Sequence, residues 1–257
     1  LYNKENFHIL TKEEYINIVC DQIENLNEEI IINRLTGDPD KNELIEPTWT
    51  TKKFTILNDI DKTLKQRNTY QGYNLSILNK ARTLMETNLK PNDLVIDATI
   101  GNGKDSNYLL HIITKGFLFG FDIQKQAIIN TNNLLKTNYK NYKLYQTGHE
   151  NIEQKLKEYK QKISLIVFNL GFLPKESKEI TTKTSTTIKA IKQSLNMLNK
   201  KGHIVITIYP GHKEGLKESK EIKKYLKTLT NYTYEEFHNT ENKEAPYVIN
   251  IKQVTKK

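Results

Sequence analysis

From about Tyr73 onward the chain alternates strictly between short apolar runs of strand length and longer amphipathic runs of helical period, and few architectures accommodate that order. Strands are expected at 93–97, 117–121, 142–146, 163–168, 203–208, 231–237 and 246–252, with helices at 75–87, 104–114, 124–136, 150–159, 182–199 and 215–228. Parallel neighbours need a crossover connection, which is usually a helix, so the pattern predicts a mostly parallel sheet covered on both faces. No long helix fits between the last two strands, and these are expected to form an antiparallel hairpin. The fold class is therefore α/β: a seven-stranded, Rossmann-like sheet closed by that hairpin.

Residues 1–72 read differently. Leu10, Tyr15, Ile16, Val19 and Ile23 recur at helical spacing behind Thr11, a candidate N-cap. Ile30-Ile31-Ile32 reads as a buried strand, the polar stretch Gly37–Asp40 as a turn, and 52–66 as a second helix with Phe54, Leu57, Ile60 and Leu64 along one face. Such a sparse set of apolar runs makes a poor core by itself, so this is expected to be a small α+β segment preceding the larger domain at 73–257. The division also separates charge. Of the formal +9, residues 1–72 contribute −4 and residues 73–257 contribute +13, a surplus that attracts a polyphosphate backbone. One cysteine, Cys20, excludes an internal disulfide and a cysteine-based metal site, and reads as a small buried hydrophobe. No metal is implied. No apolar run approaches the roughly 20 residues of a membrane span, and the first ten residues lack a signal-like block; a cytoplasmic protein with no membrane partner is expected.

Chemistry concentrates at the predicted strand ends. Asp97-Ala-Thr99-Ile-Gly101-Asn102-Gly103-Lys-Asp105 follows the first strand of the alternating region and opens a helix. Its glycines permit a tight turn and close approach to a ligand. The third glycine of the dinucleotide fingerprint is absent, and an acid such as Asp97 repels a pyrophosphate but suits the cationic methionine end of S-adenosylmethionine. Asp122, with Gln124, ends the second strand about 20 residues beyond the glycines, where an acid accepts both hydroxyls of a ribose. His149 follows the third strand and is a candidate for the edge of the base. After the fourth strand, Phe168-Asn169-Leu170-Gly171-Phe172-Leu-Pro174 resembles the Asn-Pro-Pro-Tyr tetrapeptide of amine methyltransferases, without its two prolines. Asn169 and the Leu170 backbone would supply acceptors for the N–H groups of an amine, and Phe172 the aromatic contact. Thr181, Thr182, Thr184, Ser185, Thr186 and Thr187 could cap the next helix or bind phosphate; Tyr209 and His212, after the fifth strand, could approach a target base.

The ordered set DATIGNGKD, GFDIQ, GHE, FNLGFLP, a Thr-Thr pair, YPGHKEG and APY resembles the YtqB family, now called MnmM, over about 73–257. The resemblance implies a class I S-adenosylmethionine-dependent methyltransferase fold. It further implies methyl transfer to the amine of 5-aminomethyl(-2-thio)uridine at the tRNA wobble position. On this reading the anticodon region of tRNA is the partner, and Asp97, Thr99, Gly101, Asn102, Gly103, Asp105, Asp122, Gln124 and His149 hold the cofactor. Asn169, Leu170 and Phe172 orient the amine, with Thr186, Thr187, Tyr209 and His212 toward the substrate. Family members usually carry Cys where Ile100 stands and His where Lys104 stands, so these two positions carry nothing over. Alternatives are an rRNA or small-molecule amine methyltransferase, or a non-catalytic tRNA-binding module. Residues 1–72, with Asn33-Arg34-Leu35-Thr36-Gly37-Asp38, Leu44 to Trp49 and Tyr70-Gln71-Gly72, resemble the C-terminal end of YtqA-type radical S-adenosylmethionine proteins, without their three-cysteine motif. That resemblance implies a fused protein with a radical domain as a further partner. A homodimer is also admitted.

Overall fold

The computed structural model describes residues 8–37, 39–40, 43–170 and 184–254. It divides into two compact units, Leu1–Asn79 and Lys80–Lys257.

The first unit is built on two helices, α1 (Lys12–Glu24) and α2 (Lys53–Arg67). Thr11 caps α1 through a capping box, its hydroxyl accepting from the Glu14 N–H while the Glu14 carboxylate accepts from the Thr11 N–H. Ile16, Val19, Cys20 and Ile23 of α1 bury against Ile56 and Ile60 of α2. Cys20 is fully enclosed, as its sequence context suggests, and its thiol points to the Ile60 carbonyl at 3.8 Å. Arg67 closes the pair, donating to Asp21 at 2.6 Å and Glu24 at 3.2 Å.

One expectation for this segment fails and another holds only in part. Ile30–Ile32 is irregular chain rather than a buried strand: Ile30 and Ile31 face solvent, Ile31 at 85% exposure, and only Ile32 packs on the helix pair. A strand needs a neighbour to take its backbone groups. Here the Gln71 side chain donates instead to the carbonyls of Asn27 and Ile30. The buried face of α2 agrees with the predicted one only in part: Ile60 is enclosed and Leu64 packs on the cluster, whereas Phe54 is 83% exposed and Ile56 is enclosed in its place.

The second unit is a seven-stranded sheet. Its strands are β1 (Leu94–Asp97), β2 (Phe117–Asp122), β3 (Tyr142–Gln146), β4 (Ile163–Asn169), β5 (Leu198–Ile208), β6 (Tyr232–Phe237) and β7 (Tyr247–Gln253). They lie in the order β3-β2-β1-β4-β5-β7-β6, with β7 antiparallel to both β5 and β6 and the other pairings parallel. Every predicted strand of the alternating region is present, and the last two form the expected antiparallel pair. The connecting helices are α3 (Ile77–Glu86), which spans the boundary between the units, α4 (Lys104–Ile112), α5 (Lys125–Leu135), α6 (Ile152–Lys155), α7 (Thr184–Met197) and α8 (Lys213–Leu226).

Alternation along each strand sends Ile96, Phe119, Ile166, Ile206 and Ile249 to one face, where they bury with Ile152, Ala190, Ile191, Leu195, Ile222 and Leu226 from α6, α7 and α8. Helices α4 and α5 cover β1, β2 and β3. The helix expected at 150–159 breaks into α6 flanked by two 3-10 turns. Ile152 and Leu156 are both fully buried, and the backbone leaves helical dihedrals at Leu156 (φ −124°, ψ 34°). The helix expected at 182–199 stops at Met197, because Leu198 already pairs with Ile163.

Ile60→Ala should lower the unfolding free energy measured in urea by about 2–5 kcal/mol, the cost of a buried large-to-small change, whereas Phe54→Ser should stay within about 0.5 kcal/mol of the parent. The reverse ranking would contradict the burial of Ile60 and the exposure of Phe54.

Candidate active site

The order of strands reverses direction between β1 and β4, so the loops leaving their carboxyl ends diverge and leave a crevice. The turn after β1 forms one wall. Gly101 and Gly103 have φ of +52° and +77°, a region where a side chain is strained. A Cβ on Gly103 would lie 2.8 Å from the Thr131 hydroxyl, which itself donates to the Gly101 carbonyl at 3.0 Å. The turn is also tied to β2. Ile100 N–H donates to the Phe121 carbonyl at 3.1 Å, and Gly101 N–H donates to Asp122 Oδ2 at 3.0 Å. The other oxygen of Asp122 accepts from Gln124 N–H at 2.9 Å. Asp122 is thus oriented at the end of β2 by two backbone donors, and a carboxylate oxygen can accept more than one.

Asp97 lies beneath this turn at 1% exposure. Oδ2 accepts from the Ser106 hydroxyl at 2.6 Å and Oδ1 from Thr99 N–H at 3.2 Å. Burial, then the neighbouring Asp105, push its pKa up to about 7 against these hydrogen bonds. A ligand therefore meets the charge of Asp97 more than its oxygen atoms.

The opposite wall belongs to β4. Asn169 N–H donates to Thr99 Oγ1 at 2.7 Å, and its Nδ2 donates to Asp105 Oδ2 at 3.3 Å. The Tyr209 hydroxyl, from the end of β5, shares a hydrogen bond with the Asn169 side chain; burial and then Asp105 push its pKa up to about 12. Burial also raises Asp105, while Asn169, Arg82 and Lys104 pull it back. Leu170 N–H is spent on the Thr207 carbonyl at 2.9 Å, and its side chain is buried.

The remaining predicted residues spread out. Asn102 is exposed and accepts from Asn130 Nδ2 at 2.9 Å. His149 is 7% exposed, bonded to the Ala98 backbone and set edge-on to Phe168 at 5.7 Å, with its pKa lowered by burial. It is a neutral packing ring that offers a base little surface. Thr187 is fully buried and donates to Glu218 Oε1 at 2.6 Å, so its hydroxyl joins α7 to α8 and is not presented to a substrate. Thr186 is half-buried in the first turn of α7. His212 caps α8, its Nδ1 accepting from Gly215 N–H at 3.1 Å. Phe172, with Thr181 and Thr182, lies outside the described residues.

Three residues escaped the sequence reading. Ser106 and Thr131 pin the glycine turn, and Ile123, beside Asp122, is 57% exposed, which suits it to pack on an apolar ligand face. Only an apolar residue directly after the strand-end acid signalled Ile123. A groove of about 490 Å³ lies elsewhere, at the start of β3, lined by Lys136, Lys140, Lys143, Tyr139 and Tyr142 among others. Among the described residues no group of His, Cys, Asp and Glu is arranged to hold a metal ion, and no helix is long and apolar enough to cross a membrane.

This donor set fits S-adenosylmethionine. A side-chain-free turn admits the ligand, Asp122 suits a ribose diol, and the negative charge of Asp97 and Asp105 suits a cation. Comparison with known proteins agrees. Residues 118–252 match the family described as "Putative rRNA methylase", and residues 1–66 match the "Radical_SAM C-terminal domain". The tRNA (mnm(5)s(2)U34)-methyltransferase of Arabidopsis thaliana chloroplasts is 32% identical over 149 residues, 54% of each chain, so this chain spans about half of that relative. A crystal structure of a "putative rRNA-methylase" from Clostridium thermocellum superposes with a TM-score of 0.65 at 30% identity, covering 70% of this chain and 98% of the other. SMU.1697c from Streptococcus mutans, a "putative methyltransferase" in complex with SAH, gives 0.63 at 28% identity over the same shares.

Because the raised pKa of Asp97 lies above its ordinary 3.8, its contribution to stability is present at acid pH and lost as pH rises through about 7. Asp97→Asn should remove that loss. Urea unfolding without cofactor should therefore show the variant gaining on the parent between pH 4 and pH 8; a difference independent of pH would refute the assignment.

Proposed function

Since this chain belongs to the family described as "Putative rRNA methylase", and its second unit is a class I S-adenosylmethionine-dependent methyltransferase, we propose that its acceptor is an amine on tRNA. The product would be 5-methylaminomethyl(-2-thio)uridine at the wobble position, made from the 5-aminomethyl form. The observation that carries this reading is Asn169 at the mouth of β4, its amide held between Asp105 and Tyr209 beside the glycine turn. Its amide oxygen is an acceptor for an N–H, and orienting a nitrogen lone pair needs little more than acceptors in fixed positions. The printed activity of the Arabidopsis thaliana relative supports the choice of nucleoside. The +13 of residues 73–257 suits a polyanion, and the lysine- and tyrosine-lined groove by β3 adds a basic surface to it.

On this reading Asp122 takes the ribose, the turn from Thr99 to Gly103 takes the methionine end, and Gln124 and Asn102 border the same site. The bound cofactor supplies a sulfonium methyl whose leaving group needs no acid. The chain's own residues supply position: Thr99 fixes the Asn169 backbone, and Asp105 fixes its amide. Residues 1–72, which match a radical-domain terminus in part, carry no cluster motif and would serve a longer fused protein.

The deciding assay is mass spectrometry of tRNA bearing 5-aminomethyluridine after incubation with purified protein and S-adenosylmethionine. One added methyl on that nucleoside is expected. Label on rRNA alone would shift the substrate, and no transfer to any RNA would refute the reading. Asn169→Ala should lower kcat by about 100-fold while cofactor affinity changes by no more than about three-fold; equal losses in both would make Asn169 a cofactor residue.

A further inference from the structure

We propose that Asp105 is the catalytic base of the site: its carboxylate binds the substrate as an alkylammonium ion beside Asn169 and takes the proton that frees the nitrogen lone pair. This rests on the amine reading above and names the group that reading leaves open.

An alkylamine resembles lysine in basicity and is almost wholly protonated at neutral pH, so it has no lone pair to offer. Some group must remove a proton before methyl transfer. Among the described residues, the other titratable groups of the crevice are committed. Asp97 is enclosed at 1% exposure, with Ser106 and Thr99 on its oxygens. His149 is enclosed against Phe168 and the Ala98 backbone. Tyr209 keeps its proton at neutral pH. Asp122 is oriented toward the ribose position by the N–H groups of Gly101 and Gln124. Among these, Asp105 is the partly exposed carboxylate bonded to Asn169.

The direction of that bond matters. A carboxylate can only accept, so the Nδ2 of Asn169 must face Asp105, which turns Oδ1 away as an acceptor. An ammonium group seated beside the amide, donating one N–H to Oδ1 and another to the carboxylate, would be bound by both. Among the described residues, the charged neighbours of Asp105 are Asp97 below it, Lys104 on its own helix and Arg82 on α3, with the Tyr209 phenol opposite. Burial raises the proton affinity of the carboxylate above that of a solvated aspartate, which makes it a better base.

The step balances. The ammonium gives one proton to Asp105, leaving a neutral amine and a carboxylic acid. The nitrogen pair then forms the N–CH₃ bond as the S–CH₃ bond breaks with its electrons to sulfur, so the positive charge passes from sulfonium to a secondary ammonium.

Asp105→Asn tests this, because it keeps the volume and an acceptor for Asn169 but removes the charge. On tRNA bearing 5-aminomethyluridine, kcat/KM at pH 7.5 should fall by about 100-fold or more. The deficit should shrink to under about ten-fold by pH 10, where free amine forms unaided. Cofactor affinity by calorimetry should change by no more than about three-fold. Without cofactor, the parent should bind aminomethylated tRNA more tightly than unmodified tRNA, and the variant should lose that preference. A deficit that is the same at every pH, or a cofactor affinity lowered along with turnover, would overturn the proposal and return Asp105 to the cofactor. If the parent itself leaves aminomethylated tRNA unmethylated, the amine reading fails first and this step with it.

Discussion

The parallel pairing of β1 with β4 is the contact on which the rest of the second unit depends. Strands β2 and β3 extend the sheet to one side of it, and β5, β7 and β6 to the other. Right-handed crossovers then carry the two halves over opposite faces, and the loops at the carboxyl ends of β1 and β4 part. Backbone groups just past the paired residues still need partners. Ala98 N–H donates to Val167, Leu170 N–H to Thr207, and Asn169 N–H to the Thr99 hydroxyl. These three bonds extend the order of the sheet into the crevice, so that the glycine turn and Asn169 are positioned by the core rather than by flexible loops.

That positioning comes with electrostatic strain. Asp105 and Asp122 both act on Asp97 across the turn, and burial raises Asp97 and Asp105. Both shifts favour the protonated form when no cation is near. A sulfonium ion and, on the proposed reading, an alkylammonium are both cations, and nearby carboxylates would favour binding either. Asp97 is sealed and acts through its field, whereas Asp105 reaches the surface. Two acids eight residues apart, at the two ends of one motif, thus differ in exposure because one lies under the turn and the other on the first turn of α4.

The alternation of strands and helices was legible because buried parallel strands must be apolar throughout and their crossovers amphipathic. Boundaries were less so. Leu198 belongs to β5 because Ile163 lies opposite it, a fact about another strand, and the segment after His149 breaks because Ile152 and Leu156 are both drawn into the core. In the first unit the isoleucine run at 30–32 had strand composition but no neighbour to pair with. The site residues divide in the same way. The glycine turn, Asp122 and Asn169 could be read from their spacing after each strand, since a strand end is a local feature. The enclosure of His149, the bond of Thr187 to Glu218 and the pinning roles of Ser106 and Thr131 join residues 9 to 31 positions apart or depend on burial, and local pattern does not encode them.

By itself, then, the sequence determined the class of fold, the places where chemistry would gather and the excess of positive charge, because periodicity, glycine and net charge act locally or sum over the chain. Only the tertiary structure decided which carboxylate is sealed and which is open, and which way the amide of Asn169 faces. Those depend on what lies across the crevice from each residue, and the partners come from β1, β4, β5 and α4 together.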